Sequence, residues 1–253
     1  MTSISTVINY LNNILTPEKY KDSSSNGLQI DSGNPEIKKI GLAVDSGISV
    51  LEEAVKNNCD LLICHHGIFW GGEYSITELL AKKTKILIDG GCSLYVSHLP
   101  LDGNLDVGNN SELAKLFELK DVEGFFEIEG STIGVKGNTK EKVDIEYFIS
   151  KSSGIIGAIK PFVLPFGKDS ISSVGIVSGS GSSAIPVCAK EQIDLLISGE
   201  PKQESYHSAK DCSQSVLFLG HYATETFGVV ALGKRLEKEL NIKTYFIDQP
   251  TGI

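Results

Sequence analysis

The chain repeats itself. Placing Lys39–His66 beside Ser173–Glu200, a shift of 134, sets Gly41 on Gly175, Gly47 on Gly181, Ser49 on Ser183 and Lys56 on Lys190. The same shift aligns Asp60-Leu61-Leu62-Ile63 with Asp194-Leu195-Leu196-Ile197. Further on, SLYVSH (93–98) meets VLFLGH (216–221) at a shift of 123, so His98 falls on His221 and Asp102 on Glu225. One short apolar strand matches another easily by chance. Two ordered blocks at similar offsets point to structural duplication. A duplicated unit limits the fold sharply, because both copies must bury the same faces.

Each copy reads as β-α-β with a further strand. In the first, Lys39–Asp45 and Asp60–Cys64 are strands around a helix at Ser49–Asn57, and Ser93–Ser97 follows a helix over Ile76–Thr84 that continues through 86–89. In the second, Val174–Ser178, Asp194–Ile197 and Val216–Leu219 are strands, with a short helix following the turn at Gly179–Ser183, its start limited by Pro186, and another over Ser205–Lys210. That spacing predicts parallel strands and an α/β fold class. A helix over 3–15 precedes the first copy, and Asn26-Gly27 in the polar stretch 20–34 reads as a tight turn. Asn110–Phe117 is helical. Residues 123–163 read as a small β-rich insert or the start of a second lobe, with strands over Glu123–Glu129 and Ser131–Lys136, a helix over Glu141–Lys151 and a strand starting over Gly157–Pro161. A strong amphipathic helix spans Phe227–Leu240, and Lys243–Ile247 is the last strand. The first repeat, with the His-His motif, is expected over 1–122 and the second, with a His-x₃-Glu motif, over 123–253.

Bulk properties exclude several functions. The 253 residues carry a net charge of −9 with no Lys/Arg run, which disfavours nucleic acid as a partner. No stretch reaches the roughly 18 apolar residues of a membrane span, and the amino terminus lacks the blocks of a signal peptide. Five cysteines without a C-x-x-C fit a reducing, cytoplasmic setting.

The chemistry gathers at strand ends, where α/β proteins bind ligands. Leu61-Leu62-Ile63-Cys64 runs into His65-His66-Gly67, two of only five histidines in the chain. Duplication brings equivalent strand ends toward one pseudo-twofold axis, with His65, His66 and Asp102 from one copy and His221 and Glu225 from the other. Imidazole and carboxylate donors suit a first-row divalent cation. Adjacent histidines on an extended strand point apart, which suits two neighbouring metals better than one, and a carboxylate such as Glu225 can bridge them. Two such metals activate a water for hydrolysis. His98, Glu200 and His207 are candidates for supporting a ligand or for acid/base catalysis, and Glu200 occupies the repeat position of His66. Cys64 reads as a buried strand residue rather than a nucleophile. Trp70 is a candidate pocket wall. The glycines at 175, 179 and 181 do not form G-x-G-x-x-G, and there is no G-x-S-x-G elbow.

These residues also carry a resemblance. His65-His66-Gly67-x-Phe69-Trp70, Ser97-His98-x-Pro100-Leu101-Asp102, Gly108-Asn109-Asn110, Ser198-Gly199-Glu200 and Gly220-His221-Tyr222-Ala223-x-Glu225 closely resemble the NIF-three-like (NGG-interacting factor three) family. Its bacterial and archaeal members are commonly called GTP cyclohydrolase I type 2 homologues. The match runs in order from Asn26-Gly27-Leu28-Gln29 to the carboxyl terminus. The resemblance implies two intertwined repeats, each an α/β/α three-layer sandwich, and a dinuclear centre. One metal takes His65, Asp102 and Glu225; the other takes His66 and His221, with Glu225 bridging. It further implies a ring-shaped homohexamer; His/carboxylate sites accept iron, zinc, manganese and others, so the two divalent cations per subunit are left unnamed by the sequence. The family name implies hydrolytic opening of the GTP purine ring with release of formate, and the five-ligand set points to a metal-dependent hydrolase of a nucleotide or similar small-molecule substrate. The alternative function is a metal-binding scaffold or regulatory interaction protein without turnover.

Overall fold

The computed structural model describes residues 2–72 and 75–253. Two compact units emerge: Met1–Leu101 with Val229–Gln249, and Asp102–Gly228 with Pro250–Ile253. The first unit thus combines the amino-terminal part of the chain with Val229–Gln249.

In the first unit the elements are β1 (Thr2–Ser3), α1 (Ile4–Leu15), β2 (Gly27–Ile30), β3 (Glu36–Ile37), β4 (Lys39–Ala43), α2 (Ile48–Lys56), β5 (Leu61–Cys64), α3 (Glu78–Asp89) and β6 (Ser93–Val96). The chain then runs through α4 (Leu99–Asp102), α5 (Asn109–Leu116), β7 (Lys120–Ile128), β8 (Ser131–Val143), α6 (Ile145–Ser152), β9 (Phe162–Pro165), β10 (Ile171–Val177), α7 (Ile185–Lys190), β11 (Leu195–Ser198), α8 (Ser205–Asp211) and β12 (Ser215–Phe218). Helix α9 (His221–Leu240) starts in the second unit and ends in the first, where β13 (Lys243–Phe246) completes the sheet.

The first sheet has the order β13-β4-β5-β6-β2, and the second β7-β8-β10-β11-β12-β9. Strands β4, β5 and β6 are parallel, as are β10, β11 and β12. An antiparallel strand closes one side of each trio, β2 on β6 and β9 on β12. The central strands β5, β6, β11 and β12 are buried along their whole length, which demands cover on both faces. In the first sheet Ala43, Leu62 and Leu94 pack with Val50, Leu51 and Leu87 of α2 and α3. On the opposite face Tyr95 bonds Asn12 of α1 (2.9 Å), and a Cβ on Gly233 of α9 would overlap Leu42 Cδ1, which marks how closely that helix sits on β4. In the second sheet Val174, Ile176, Leu195 and Ile197 pack with Leu113 of α5 and Phe148 of α6. Each unit is thus an α/β/α sandwich.

The duplication extends to single hydrogen bonds. Asp60 Oδ2 accepts from the backbone of Lys38 and Lys39, and Asp194 Oδ2 from Ser172 and Ser173. Asn58 and Gln192, also 134 apart, both take positive φ (55° and 59°) at a helix-to-strand turn. Register corrects one detail. Leu61 faces Ser93 and Leu195 faces Ser215, so the second block is offset by 122, not 123. His98 therefore corresponds to Gly220, and His221 to Leu99. Apolar alternation cannot distinguish a one-residue slide over so short a strand; the ladder can.

Other boundaries differ too. Residue Asn26 precedes a strand, β2, rather than an isolated turn, because Gly27 (φ 107°) leads directly into pairing with β6. The strand expected at 157–161 lies at β9 instead, past Pro161, which has no N–H for a ladder. Helix α9 begins six residues before Phe227, at His221. Residues 123–163 belong to the second unit, where β8 pairs with β10. Among the described residues, no helix is long and apolar enough to cross a membrane.

Candidate metal centre

The donors of the first unit follow the carboxyl ends of β5 and β6. The ladder holds past β5, with His65 N bonding Ala43 O and His66 N bonding Val44 O, while the chain bends. The two rings are not splayed to opposite faces as an extended pair would be; their centroids are 4.7 Å apart. His98 joins them, 5.1 Å from His65 and 5.6 Å from His66. One ring nitrogen from each of the three lies within 4.8 Å of the others.

Each ring is oriented by an oxygen. His65 Nδ1 meets Ser97 O at 2.9 Å, and His66 Nδ1 meets Asp45 Oδ1 at 2.9 Å. His98 Nδ1 meets both oxygens of Asp22, at 2.9 and 3.1 Å. A carbonyl or carboxylate oxygen only accepts, so Nδ1 is the donor in each of these contacts. Burial pushes the Asp22 carboxyl upward, but the His98 hydrogen bond and charge, with Asn26 and Ser24, outweigh it and bring it down to about 2. Trp70 stands beside the cluster, its ring 5.0 Å from His98 and 5.9 Å from His66.

The donors of the second unit are set by buried bonds. Asp102 Oδ1 accepts from Asn109 Nδ2 (2.9 Å) and Ser178 Oγ (3.0 Å). Asn109 Oδ1 in turn accepts from Gly228 N of α9 (2.7 Å), and Asn110 Oδ1 from Ser178 N (2.7 Å). This network ties Asp102 to β10 and α9. His221 and Glu225 share one face of the first turn of α9, with Nε2 and Oε1 3.1 Å apart. His221 Nδ1 faces Glu200 Oε1 at 3.2 Å, and Glu200 also accepts from Ser180 Oγ. Burial would lower His221, but Glu225 and then Glu200 outweigh it and raise the imidazole to about 9. Glu200 is itself lowered, since Ser180 and His221 outweigh its burial.

Gly179 makes room for this arrangement. At φ 58° its N–H bonds Thr224 Oγ1 (3.0 Å), and its carbonyl accepts from Gly199 N and Glu200 N, both 3.0 Å. A Cβ there would overlap Glu225 Oε1 and stand 3.0 Å from His221 Nε2.

Imidazole nitrogens with carboxylate oxygens suit iron, zinc or manganese, and are too nitrogen-rich for calcium or magnesium. The chemistry of the donors therefore fits the metal type expected. Cys64 does not join them as a nucleophile: it is buried, its Sγ faces Asp45 O at 3.5 Å, and burial pushes its thiol well up.

The model of the family described as Duf34/NIF3 (NGG1p interacting factor 3) matches residues 2–252. The chain belongs to that family. Among Duf34/NIF3 relatives, it is 41% identical to the GTP cyclohydrolase 1 type 2 homolog of Pyrococcus abyssi over 98% of both chains. It is 36% identical to that of Deinococcus radiodurans, over 98% of this chain and 93% of the other. The crystal structure of TTHA1606 from Thermus thermophilus superposes with a TM-score of 0.91 at 34% identity over the whole of both chains. Reduced HcgD from Methanocaldococcus jannaschii gives 0.85 at 26% identity, over 98% of both.

Within this Duf34/NIF3 chain, the sequence candidates can be placed unit by unit. His65, His66 and His98 form one cluster, and His221, Glu225 and Glu200 another. Asp102 sits in its own buried network. His207 is exposed on α8 against Tyr206 (5.3 Å between rings) and, among the described residues, joins no donor group. Sequence reasoning missed Asp22 and Asp45. Asp45 closes the apolar run of the first strand, a position that could have drawn notice; Asp22 lies in a polar stretch with no pattern to single it out.

Proposed function

We propose that this Duf34/NIF3 protein holds two divalent cations and hydrolyses a nucleotide or a similar small molecule. The observation that carries the reading is the treatment of the histidines. His65, His66, His98 and His221 each turn Nδ1 to an oxygen, which is the outer hydrogen bond that metal-ligating histidines characteristically make. His65, His66, Asp102, His221 and Glu225 are the proposed ligands, with the assignment to each metal that family membership suggests. Bound divalent cations would supply Lewis acidity and a nucleophilic water at neutral pH. The chain's own part is to orient the rings through Nδ1 and to fix Asp102 and Glu225 in buried positions. The relatives' name favours GTP as the first substrate to try.

Purified protein loaded with iron, zinc or manganese should release formate from GTP or turn over another member of a nucleotide panel. His65→Ala and Glu225→Ala should lower metal content while the circular dichroism spectrum is kept. Full metal occupancy in both variants rejects the ligand set. Bound metal without turnover across the panel rejects the hydrolase and leaves the second reading, a regulatory or scaffold protein, which the interaction in the family's description favours. Both readings include a homohexamer, measurable by light scattering, and a cytoplasmic setting supported by the five free cysteines.

A further inference from the structure

We infer that His98 is a nitrogen donor to divalent metal alongside His65 and His66, and that Asp22 is the residue that positions it. The inference rests on the metal-binding reading and adds a ligand to it. Two independent features carry it. The first is proximity: a ring nitrogen of His98 lies within 4.8 Å of one from each neighbouring histidine. The second is the tautomer. Both Asp22 oxygens face Nδ1, so Nδ1 donates to them and Nε2 is the nitrogen that can ligate, just as Nδ1 of His65 and of His66 donates to its own oxygen.

Asp22 is built for this. Its side chain is only 2% exposed, and His98's is 20%. It also accepts from Ser24 N (3.0 Å), Leu99 N (3.0 Å) and Asn26 Nδ2 (2.8 Å). Asn26 Oδ1 takes His98 N at 2.7 Å, so ring and backbone of His98 are held by one short segment. That segment continues to Gln29, whose Oε1 accepts from Ile68 N (2.8 Å) and Phe69 N (3.3 Å) just past the histidine pair. The Asn26-Gly27-Leu28-Gln29 motif thus fastens the loop after β5 and the loop after β6 to one strap.

A purely structural Asp22 would cap the Leu99 amide and leave metal binding untouched, and this difference is measurable. The chain's single tryptophan lies beside His98, so Co²⁺ titration can be followed by Trp70 quenching as well as by cobalt absorption. His98→Gln should weaken Co²⁺ binding at least tenfold and alter the absorption band. Asp22→Ala should weaken it about 10–100-fold, the usual cost of removing the partner behind a ligating histidine. Imidazole ¹⁵N spectra of the metal-free protein should show His98 protonated at Nδ1, and show that preference lost in Asp22→Ala. Wild-type Co²⁺ affinity and spectrum in His98→Gln overturn the inference, and this arm stands even if Asp22→Ala fails to fold. An unchanged His98 tautomer in folded Asp22→Ala overturns the role given to Asp22. His65→Ala separates the two levels: if it loses Co²⁺ while His98→Gln does not, only the inference fails; if it too binds normally, the metal-binding reading fails.

Discussion

Gly179→Ala should damage the donor pair of the second unit more than it damages the fold. Two costs add. At φ 58° an alanine takes a left-handed backbone, worth about 1–2 kcal/mol. The new Cβ also overlaps Glu225 Oε1 and lies 3.0 Å from His221 Nε2. Restoring an ordinary C···O separation moves the carboxylate by about 1 Å, and crowding a packed site costs about 1–3 kcal/mol. The sum is about 2–5 kcal/mol, or a melting shift of about 4–20 °C. Gly130→Ala is the control. It lies in the same unit at φ 81°, with nothing within 4 Å of its Cβ, so it reports the backbone term alone. Differential scanning calorimetry of both variants, with metal analysis of each, makes the comparison. Gly179→Ala should melt below Gly130→Ala and hold less metal, since coordination tolerates only about 0.2 Å of error. Equal melting with full metal content would refute the crowding argument.

Two further perturbations test the framework. Asp194→Asn should destabilise by about 2–4 kcal/mol, because the Ser172 and Ser173 amides lose a charged acceptor; the bond to Lys168, 72% exposed, adds little. Burial pushes the Asp194 carboxyl up, but Lys168, Ser172 and Ser173 outweigh it and hold it well below the usual range. Its contribution is therefore complete above about pH 4, the unfolded value, and fades as pH falls, so urea midpoints of wild type and variant should converge in acid. Asn109→Ala strands the buried Gly228 amide and removes a donor from Asp102; a loss of about 1–3 kcal/mol with reduced metal content is expected, read by thermal melting and elemental analysis.

The repeat was legible because its apolar blocks and Asp60/Asp194 are encoded locally. Each strand trio must be buried on both faces, and that requirement writes itself as DLLI twice. The histidines were legible for the same reason, as polar residues directly after apolar runs. What could not be read was register and partnership. A slide of one residue between Ser93 and Ser215 leaves the apolar pattern intact and is settled only by pairing across strands. Asp22 reaches His98 over 76 positions, and Asn109 reaches Gly228 over 119; such bonds follow from how the chain closes, not from any neighbouring residue. His207 shows the converse: its sequence neighbours read as a helix near a strand end, and only the fold shows that its side chain faces outward.

Helix α9 has a consequence for synthesis. Strand β4 pairs on one side with β5 and on the other with β13, and β13 emerges from the ribosome roughly 200 residues later. At about 5–20 residues per second, β4 waits some 10–40 s with its outer hydrogen-bonding edge unfilled, while the second unit, Asp102–Gly228, is translated in the interval. An open apolar edge is a site for mispairing, so the nascent chain should recruit chaperones most strongly between the appearance of Cys64 and that of Phe246. Ribosome-stalled chains halted before Lys243 should be more readily cleaved by protease within Lys39–Ala43 than chains halted after the full sequence has cleared the exit tunnel.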